Sequence, residues 1–112
     1  MMRRPARAIA ELWVSRQVRD KLRRKHHLEI WEVEQAVFDD PDRLVLRAGD
    51  LYAVYGTTFP GRFLLCLVRQ LSEEEIPEAG RDTSVMILRL VTARDMNEAQ
   101  RRRYRVRKDR GV

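Results

Sequence analysis

The chain is poor in cysteine and in long apolar runs. Its single cysteine, Cys66, excludes an internal disulfide and a cysteine-based zinc site, and its apolar surroundings are typical of a small core residue. No stretch approaches the roughly 18 apolar residues of a membrane span, and residues 1–10 lack the apolar middle of a secretory signal. We therefore expect a cytoplasmic protein with no membrane partner.

Lysine is scarce among the positive residues. The chain carries 23 Lys and Arg against 17 Asp and Glu, for a formal net charge of +6, and nearly all of the cations are arginine. Arginine presents a planar fork that matches phosphate oxygens, whereas a surface that only confers solubility can be built from lysine. The composition favours a polyanionic partner, although a GC-rich genome would also enrich arginine.

The length predicts a single domain over residues 1–112, because 112 residues support one hydrophobic core and not two. Val18 and Leu22 stand four residues apart in a charged segment, which predicts a first helix from Ser15 to Lys25 with Ser15 as its cap. A break near His26 to Glu29 precedes a second helix to about Phe38. Asp40-Pro41 ends it, because proline disfavours helical backbone in the residue before it.

The middle and last thirds have the composition of β-strands. We predict strands at Ile9–Val14, Leu44–Arg47, Leu51–Thr58, Arg62–Gln70 and Val85–Val91. Pro60-Gly61 fits the central pair of a type II turn, and the apolar run Phe63–Val68 belongs near the sheet centre. The Glu73–Glu75 run is either solvated or shields a basic groove. A third helix begins at a capping box, either Asn97 with Gln100 or Asp95 with Glu98. The sequence thus predicts an α+β fold with helices on one side of a small antiparallel sheet.

Several catalytic signatures are missing, including a P-loop, a dinucleotide-binding glycine fingerprint, an HExxH helix and a nucleophile elbow. We therefore expect neither a cofactor nor a metal. RNA cleavage by attack of a 2′-hydroxyl on its own phosphate needs only fixed positive charge and groups that accept and donate a proton. Such groups are present in this chain.

Short segments in a characteristic order carry a family resemblance. They are Lys25-His26-His27-Leu28, Glu32-Val33-Glu34, Val37-Phe38-Asp39-Asp40-Pro41, Tyr55-Gly56-Thr57-Thr58 with Gly61-Arg62, Thr92-Ala93-Arg94-Asp95-Met96, and Arg101-Arg102-Arg103-Tyr104. Over roughly residues 10–105 the chain resembles the BrnT-type toxins of bacterial type II toxin–antitoxin pairs. The resemblance implies a RelE-like α+β fold, a ribonuclease activity that arrests translation, and a partner antitoxin. Where that family usually has His-Gly, this chain has His26-His27, so a glycine turn is missing.

Two arginines are the first candidates for phosphate binding. Arg94 lies at a strand-to-helix junction, beside backbone N–H groups that favour an anion; the alternative is an ion pair with Asp95 or Glu98. Arg62 follows the Pro-Gly turn and is a candidate for a second phosphate; the alternative is a solvated turn residue.

Two further residues are candidates for proton transfer or base contact. Histidine is the usual general acid or base of enzymes, so His26 is a candidate, but it also fits a cap or a solvent-facing residue. Tyr104 is a candidate for stacking on a base, but it also fits a ring packed on the sheet.

The remaining candidates are cations and aromatic core residues. For RNA backbone contacts we select Lys25, Arg101, Arg102 and Arg105, although a basic helix is also typical of a solvated tail. Trp13, Trp31 and Phe38 are assigned to the core. A non-catalytic RNA-binding module and a protein-interaction domain remain as rival functions.

Overall fold

The computed structural model describes residues 10–72, 74–75 and 86–110. In chain order the elements are β1 (Ala10–Trp13), α1 (Arg16–His26), α2 (Ile30–Glu34), a π-helical segment (Gln35–Asp39), β2 (Leu44–Ala48), β3 (Leu51–Thr57), β4 (Phe63–Gln70), β5 (Met86–Asp95) and α3 (Glu98–Arg110). The predicted α+β class and the order of two helices, a sheet and a C-terminal helix are confirmed. Ile9 and Val85, at the predicted starts of two strands, lie outside the described residues.

The five strands form one sheet in the order β1-β5-β4-β3-β2. β4 is therefore central, as its continuous apolar run predicted. β2, β3, β4 and β5 pair in antiparallel fashion, but β1 runs parallel to β5, with Ala10 opposite Met86. The prediction of a purely antiparallel sheet is thus wrong at this edge, because the period of a strand carries no information about its direction.

Helices cover both faces of the sheet. On the face that we call the α1 face, Val54, Cys66 and Ala93 are buried together with Leu22 of α1 and Val33 of α2. On the opposite face, which we call the α3 face, the buried cluster is Tyr55, Leu65, Met96 and Tyr104. The prediction that all helices pack on one side is therefore wrong, since α3 brings Tyr104 to the other face.

The α1 helix begins and ends as its sequence dictates. The Ser15 hydroxyl accepts a hydrogen bond from the Val18 amide at 3.2 Å, so the predicted cap is confirmed. At the other end His27 has a positive φ of 52°, and the amides of His27 and Leu28 both donate to the Leu22 carbonyl. This is the left-handed turn that glycine usually provides. His27 makes the same turn without glycine.

The second helix changes from α to π after Glu34 and ends at Asp39, before the predicted Asp40-Pro41 break. The π-helical segment lies against β3 with almost no space between the backbones. A Cβ atom on Gly56 would stand 2.2 Å from the Ala36 carbonyl oxygen. Glycine at this position in β3 is therefore a packing requirement.

Two local predictions need correction. In the turn between β3 and β4 the Gly61 amide donates a hydrogen bond to the Thr58 carbonyl at 2.9 Å. The central pair of this turn is therefore Phe59-Pro60 and not Pro60-Gly61. Trp31 is 50% exposed and is not a core residue.

The other two predicted core aromatics are intermediate. Trp13 is half-buried and lies outside both core clusters, beneath the Arg89 guanidinium at 5.0 Å. Phe38 packs at the margin of the α1-face core. None of the helices in the described part of the chain is long and apolar enough to cross a membrane.

Candidate functional site

Four elements meet at one end of the sheet. They are the break between α1 and α2, the tip of the β3–β4 hairpin, the end of β5, and the start of α3. Arg62 donates to the Asp95 carboxylate, and two other predicted site residues, His26 and Arg101, are near enough for their charges to act on it. Hydrogen bonds from Arg62 are the largest influence that lowers the Asp95 pKa, and the charges of His26 and Arg101 act in the same direction. Arg94 does not belong to this group, because its side chain alternates with that of Asp95 along β5 and projects from the opposite face of the sheet.

Arg62 is fully engaged inside the protein. Its Nε and one terminal nitrogen donate to the two Asp95 carboxylate oxygens at 2.8 and 3.1 Å. The same terminal nitrogen donates to the His26 carbonyl at 2.7 Å, and the other donates to the His27 carbonyl at 2.9 Å and to Glu32 at 3.3 Å. A guanidinium has five N–H donors, and these contacts use all of them.

The five contacts give Arg62 a role that differs from the expected one. They join the hairpin tip, the α1–α2 break and the end of β5, and they leave no N–H group for a phosphate in this arrangement. Hydrogen bonding to Asp95 raises the already high Arg62 pKa, so the side chain stays charged. Its geometry is that of a positioning residue.

Arg94 lies at the same end of the sheet but in a different environment. It pairs across the ladder with Leu65, so it projects from the α3 face, where it is exposed. One of its terminal nitrogens donates to the Asp95 carbonyl at 3.0 Å and to the Gln100 side chain at 3.3 Å. Both acceptors are neutral, and no carboxylate of the described residues lies within ion-pair distance of Arg94. The alternative of an ion pair with Asp95 or Glu98 is not observed.

The start of α3 fixes Gln100, and with it one contact of Arg94. The Asn97 amide donates to the Gln100 side chain at 2.9 Å, and the Gln100 amide donates to the Asn97 side chain at 2.8 Å. This reciprocal pair is the Asn97–Gln100 capping box, the first of the two that the sequence predicted. Since one Gln100 oxygen accepts from both Asn97 and Arg94, the helix cap and the arginine are coupled.

Arg105 adds a second cation to the same face, and it too forms no ion pair with a described residue. Its guanidinium lies 5.1 Å from the centre of the Phe63 ring, and Phe63 is two residues from Leu65, the cross-strand partner of Arg94. Residues in this diagonal relation lie roughly 7–8 Å apart. We call Arg94, Arg101 and Arg105 the arginine surface.

Arg101, the third member of the arginine surface, is half-buried, and its buried Nε has no hydrogen-bond partner among the described residues. The remaining cations that the sequence selected for RNA contacts, Lys25 and Arg102, are exposed.

Tyr104 is not available to a ligand. Its side chain is buried at 2% exposure, and its hydroxyl donates to the Asp40 carboxylate at 2.6 Å. Burial, followed by this hydrogen bond, raises the pKa of Tyr104 to about 12. The ring packs edge-on against Phe63, which agrees with the alternative of a tyrosine packed on the sheet. Asp40 also accepts the Thr57 and Asp42 amides.

Sequence reasoning missed a second arginine site on the α3 face. Arg69 and Arg89 stand directly opposite each other on β4 and β5, and the Glu75 carboxylate contacts both. The sequence offered only the Glu73–Glu75 run, whose alternative reading as a shield over a basic groove agrees with the contacts of Glu75. Glu73 lies outside the described residues.

The described residues contain no group of three or more His, Cys, Asp or Glu side chains arranged to hold a metal ion. No protein-family model matches the chain, and no curated protein is similar to it in sequence.

Proposed function

We propose that this protein is a ribonuclease toxin of the type II toxin–antitoxin class, with a RelE-like fold, which cleaves RNA without a metal and is neutralised by a cognate antitoxin. The observation that carries the proposal is the arginine surface. Its members Arg94 and Arg105 are exposed cations from two elements on one sheet face, and no described carboxylate pairs with them. The ordered segments that resemble BrnT-type toxins support the same class.

The arginine surface would bind the scissile phosphate. Arg94 has one terminal nitrogen held by neutral acceptors, and its remaining N–H groups, which have no acceptor among the described residues, can donate to phosphate oxygens. A charge-assisted hydrogen bond is roughly twice as strong as a neutral one, and fixed cations stabilise the extra negative charge of the transition state. Arg94 is therefore the proposed catalytic cation, and Arg101 and Arg105 extend its field along the RNA.

In this proposal His26 transfers the proton, so the scissile phosphate must lie at the end of the sheet, where His26 and Arg94 approach it from opposite faces. The His26 ring is half-buried, and its backbone carbonyl is held by Arg62 at 2.7 Å. Arg62 and Asp95 are thus positioning residues that fix His26 relative to β5. Tyr104 takes no part in the chemistry, because its hydroxyl is enclosed with Asp40.

The direct test compares Arg94→Ala with the parent chain and with Arg19→Ala. Arg19 is an exposed α1 residue, so its substitution removes the same charge away from the arginine surface. We expect the parent and Arg19→Ala to cleave RNA in the presence of a chelator and to arrest growth when expressed alone. Arg94→Ala should lose about 10²–10³ in cleavage rate. A parent chain that is harmless and leaves RNA intact would end the nuclease proposal.

A non-catalytic RNA-binding module is the second candidate. The observation that favours it is the enclosure of Tyr104, which leaves His26 as the one accessible residue of the two proton-transfer candidates. Both functions predict binding that weakens with salt, with a log–log slope of about −0.7 per phosphate contact on a single strand. RNA that is bound but not cut identifies the module, and a flat salt response excludes both RNA functions.

The antitoxin part of the proposal has its own test. Co-expression of the protein encoded by an adjacent small reading frame should restore growth. This protein should cover the arginine surface, which becomes accessible again only when the protein is removed. If growth arrest occurs and no neighbouring product relieves it, the toxin–antitoxin assignment fails while the nuclease assignment stands.

A further inference from the structure

The Glu75 carboxylate occupies a ready-made anion site on the α3 face. It accepts two hydrogen bonds from the Arg69 guanidinium at 2.9 and 2.8 Å and one from Arg89 at 3.3 Å. The Ser72 amide and hydroxyl donate to the same carboxylate at 3.0 and 3.1 Å. Two guanidinium groups, an amide and a hydroxyl are the donors from which phosphate sites are built.

The sheet fixes the backbone positions of both arginines, and Arg89 has a further contact that does not involve Glu75. Arg69 and Arg89 are cross-strand partners in the sheet, and the Arg89 guanidinium lies 5.0 Å over the Trp13 ring. Like charges placed directly opposite destabilise a sheet, so this pair needs an anion between its members. All three charged side chains are about one-third exposed or less, so the site is partly shielded from water and remains open on one side.

The position of the site relates it to the arginine surface. Arg69 on β4 and Leu65, the partner of Arg94, are four residues apart on the same strand face, which corresponds to about 13 Å. Both sites therefore lie on the same side of the sheet, within the footprint of a short single strand.

We propose that Arg69, Arg89 and Ser72 form a second phosphate site, that Glu75 fills it as an internal substitute for phosphate, and that an RNA phosphate displaces Glu75 when the strand binds. The assignment to RNA depends on the proposed function, whereas the phosphate site itself does not. Glu75 also accepts from Ser72 within its own turn, so the carboxylate is delivered by a short local segment. A small movement of this turn would exchange the two anions.

Glu75→Gln tests the site, with Glu74→Gln as its matched control. Glu74 is the exposed neighbour, so the two variants have the same net charge and differ only in whether the Arg69–Arg89 pair loses its anion. The probe is inorganic phosphate. Its binding is monitored by the NMR chemical shift of the Ser72 amide and by thermal unfolding. We expect saturable shifts and a phosphate-dependent rise in Tm for Glu75→Gln, and at least tenfold weaker responses for the parent and Glu74→Gln.

Arg69→Gln combined with Glu75→Gln should abolish the response. If Glu75→Gln responds no more than Glu74→Gln, the site does not exist. A Glu75→Gln chain that is unfolded without phosphate and folds when phosphate is added supports the proposal, and one that stays unfolded in phosphate contradicts it.

A short oligouridine separates this inference from the proposed function. Glu75→Gln should bind it about threefold to tenfold more tightly than Glu74→Gln, because the internal competitor is gone. If phosphate binds to Glu75→Gln but no variant binds the oligouridine, the RNA function fails and the anion site stands. If all variants bind RNA equally and depend on Arg94, the RNA function stands and the role of Glu75 is wrong.

Discussion

Arg62 and Arg94 lie at the same end of the sheet, yet their surroundings are opposite. Arg62 donates to five oxygen atoms within the protein, three of which belong to the carboxylates of Asp95 and Glu32. Arg94 is exposed and contacts two neutral oxygens. A cation whose donors are all engaged stabilises the fold, whereas one with free donors is available to a ligand. The comparison teaches that a local motif can identify arginines near a site without identifying which of them reaches the ligand.

The largest expected effect is on the free energy of unfolding of Arg62→Ala. Loss of this side chain leaves two carbonyls and two carboxylates without their charged donor, which should cost about 2–4 kcal/mol. Arg94→Ala should cost less than about 0.5 kcal/mol, as is usual for exposed residues. Urea unfolding of both variants measures the difference. Equal losses in the free energy of unfolding for the two variants would contradict the distinction between an engaged Arg62 and an available Arg94.

Tyr104, like Arg62, has its polar group engaged inside the protein, and its loss should also destabilise the fold. Tyr104→Phe should cost about 1–2 kcal/mol, because Asp40 loses a buried donor. The folded tyrosine has its pKa raised to about 12, against about 10 in the unfolded chain. Its contribution is therefore fully present below pH 10 and is lost as the pH rises through 12.

The pH dependence gives Tyr104 a separate readout. Parallel urea titrations at pH 9 and at higher pH should show a steeper decline for the parent than for Tyr104→Phe. Identical slopes would mean that the hydroxyl is not enclosed, and Tyr104 would return to the list of candidates for RNA contact.

His27→Gly changes one of the residues whose carbonyl accepts a hydrogen bond from Arg62. Its effect on the free energy of unfolding tests how the Arg62 acceptors are positioned. A non-glycine residue in left-handed backbone costs about 1–2 kcal/mol, while glycine adds entropy to the unfolded chain. The net effect should be a gain of about 0.5–1 kcal/mol. His27→Ala is the control, because it removes the imidazole and retains the strained backbone, so it should give no gain.

A small effect that depends on pH is expected for Asp95→Asn. The Arg62 hydrogen bonds hold the Asp95 pKa below its usual range, so this pair stabilises the fold above the ordinary aspartate pKa and loses its effect as the pH falls through the lower folded value. The carboxylate is 55% exposed, so screening limits the contribution to below about 1 kcal/mol. Asp95→Asn should flatten the acid limb of a stability–pH curve, and an unchanged limb would assign that limb to other carboxylates.

Local patterns predicted most of the secondary structure. Ser15, the Asn97–Gln100 box and the apolar run of β4 each act through neighbours a few residues away, so their signals can be read from the sequence. The direction of β1 and the face chosen by α3 depend on pairing between distant segments, for which a single sequence has no signal.

The sequence provided candidate residues for the site but not the contacts that decide the role of each one. Arg62 reaches Asp95 and the His26 carbonyl across more than thirty residues of sequence, and Tyr104 reaches Asp40 across 64. Glu75 looks identical to its acidic neighbours until the fold places it between Arg69 and Arg89. Long-range partners of this kind decide whether a charged side chain is available, and only the folded chain reveals them.

The position of β5 has a consequence for how the protein is made on the ribosome. β5 pairs with both β1 and β4, so a nascent chain that has not yet reached residue 86 has an N-terminal strand without a neighbour and a hairpin with one open side. Domains complete their folding only when such distant strands have emerged. Because Arg94, Arg101 and Arg105 all follow the start of β5, a nascent chain that ends before residue 86 lacks the entire surface proposed to bind RNA.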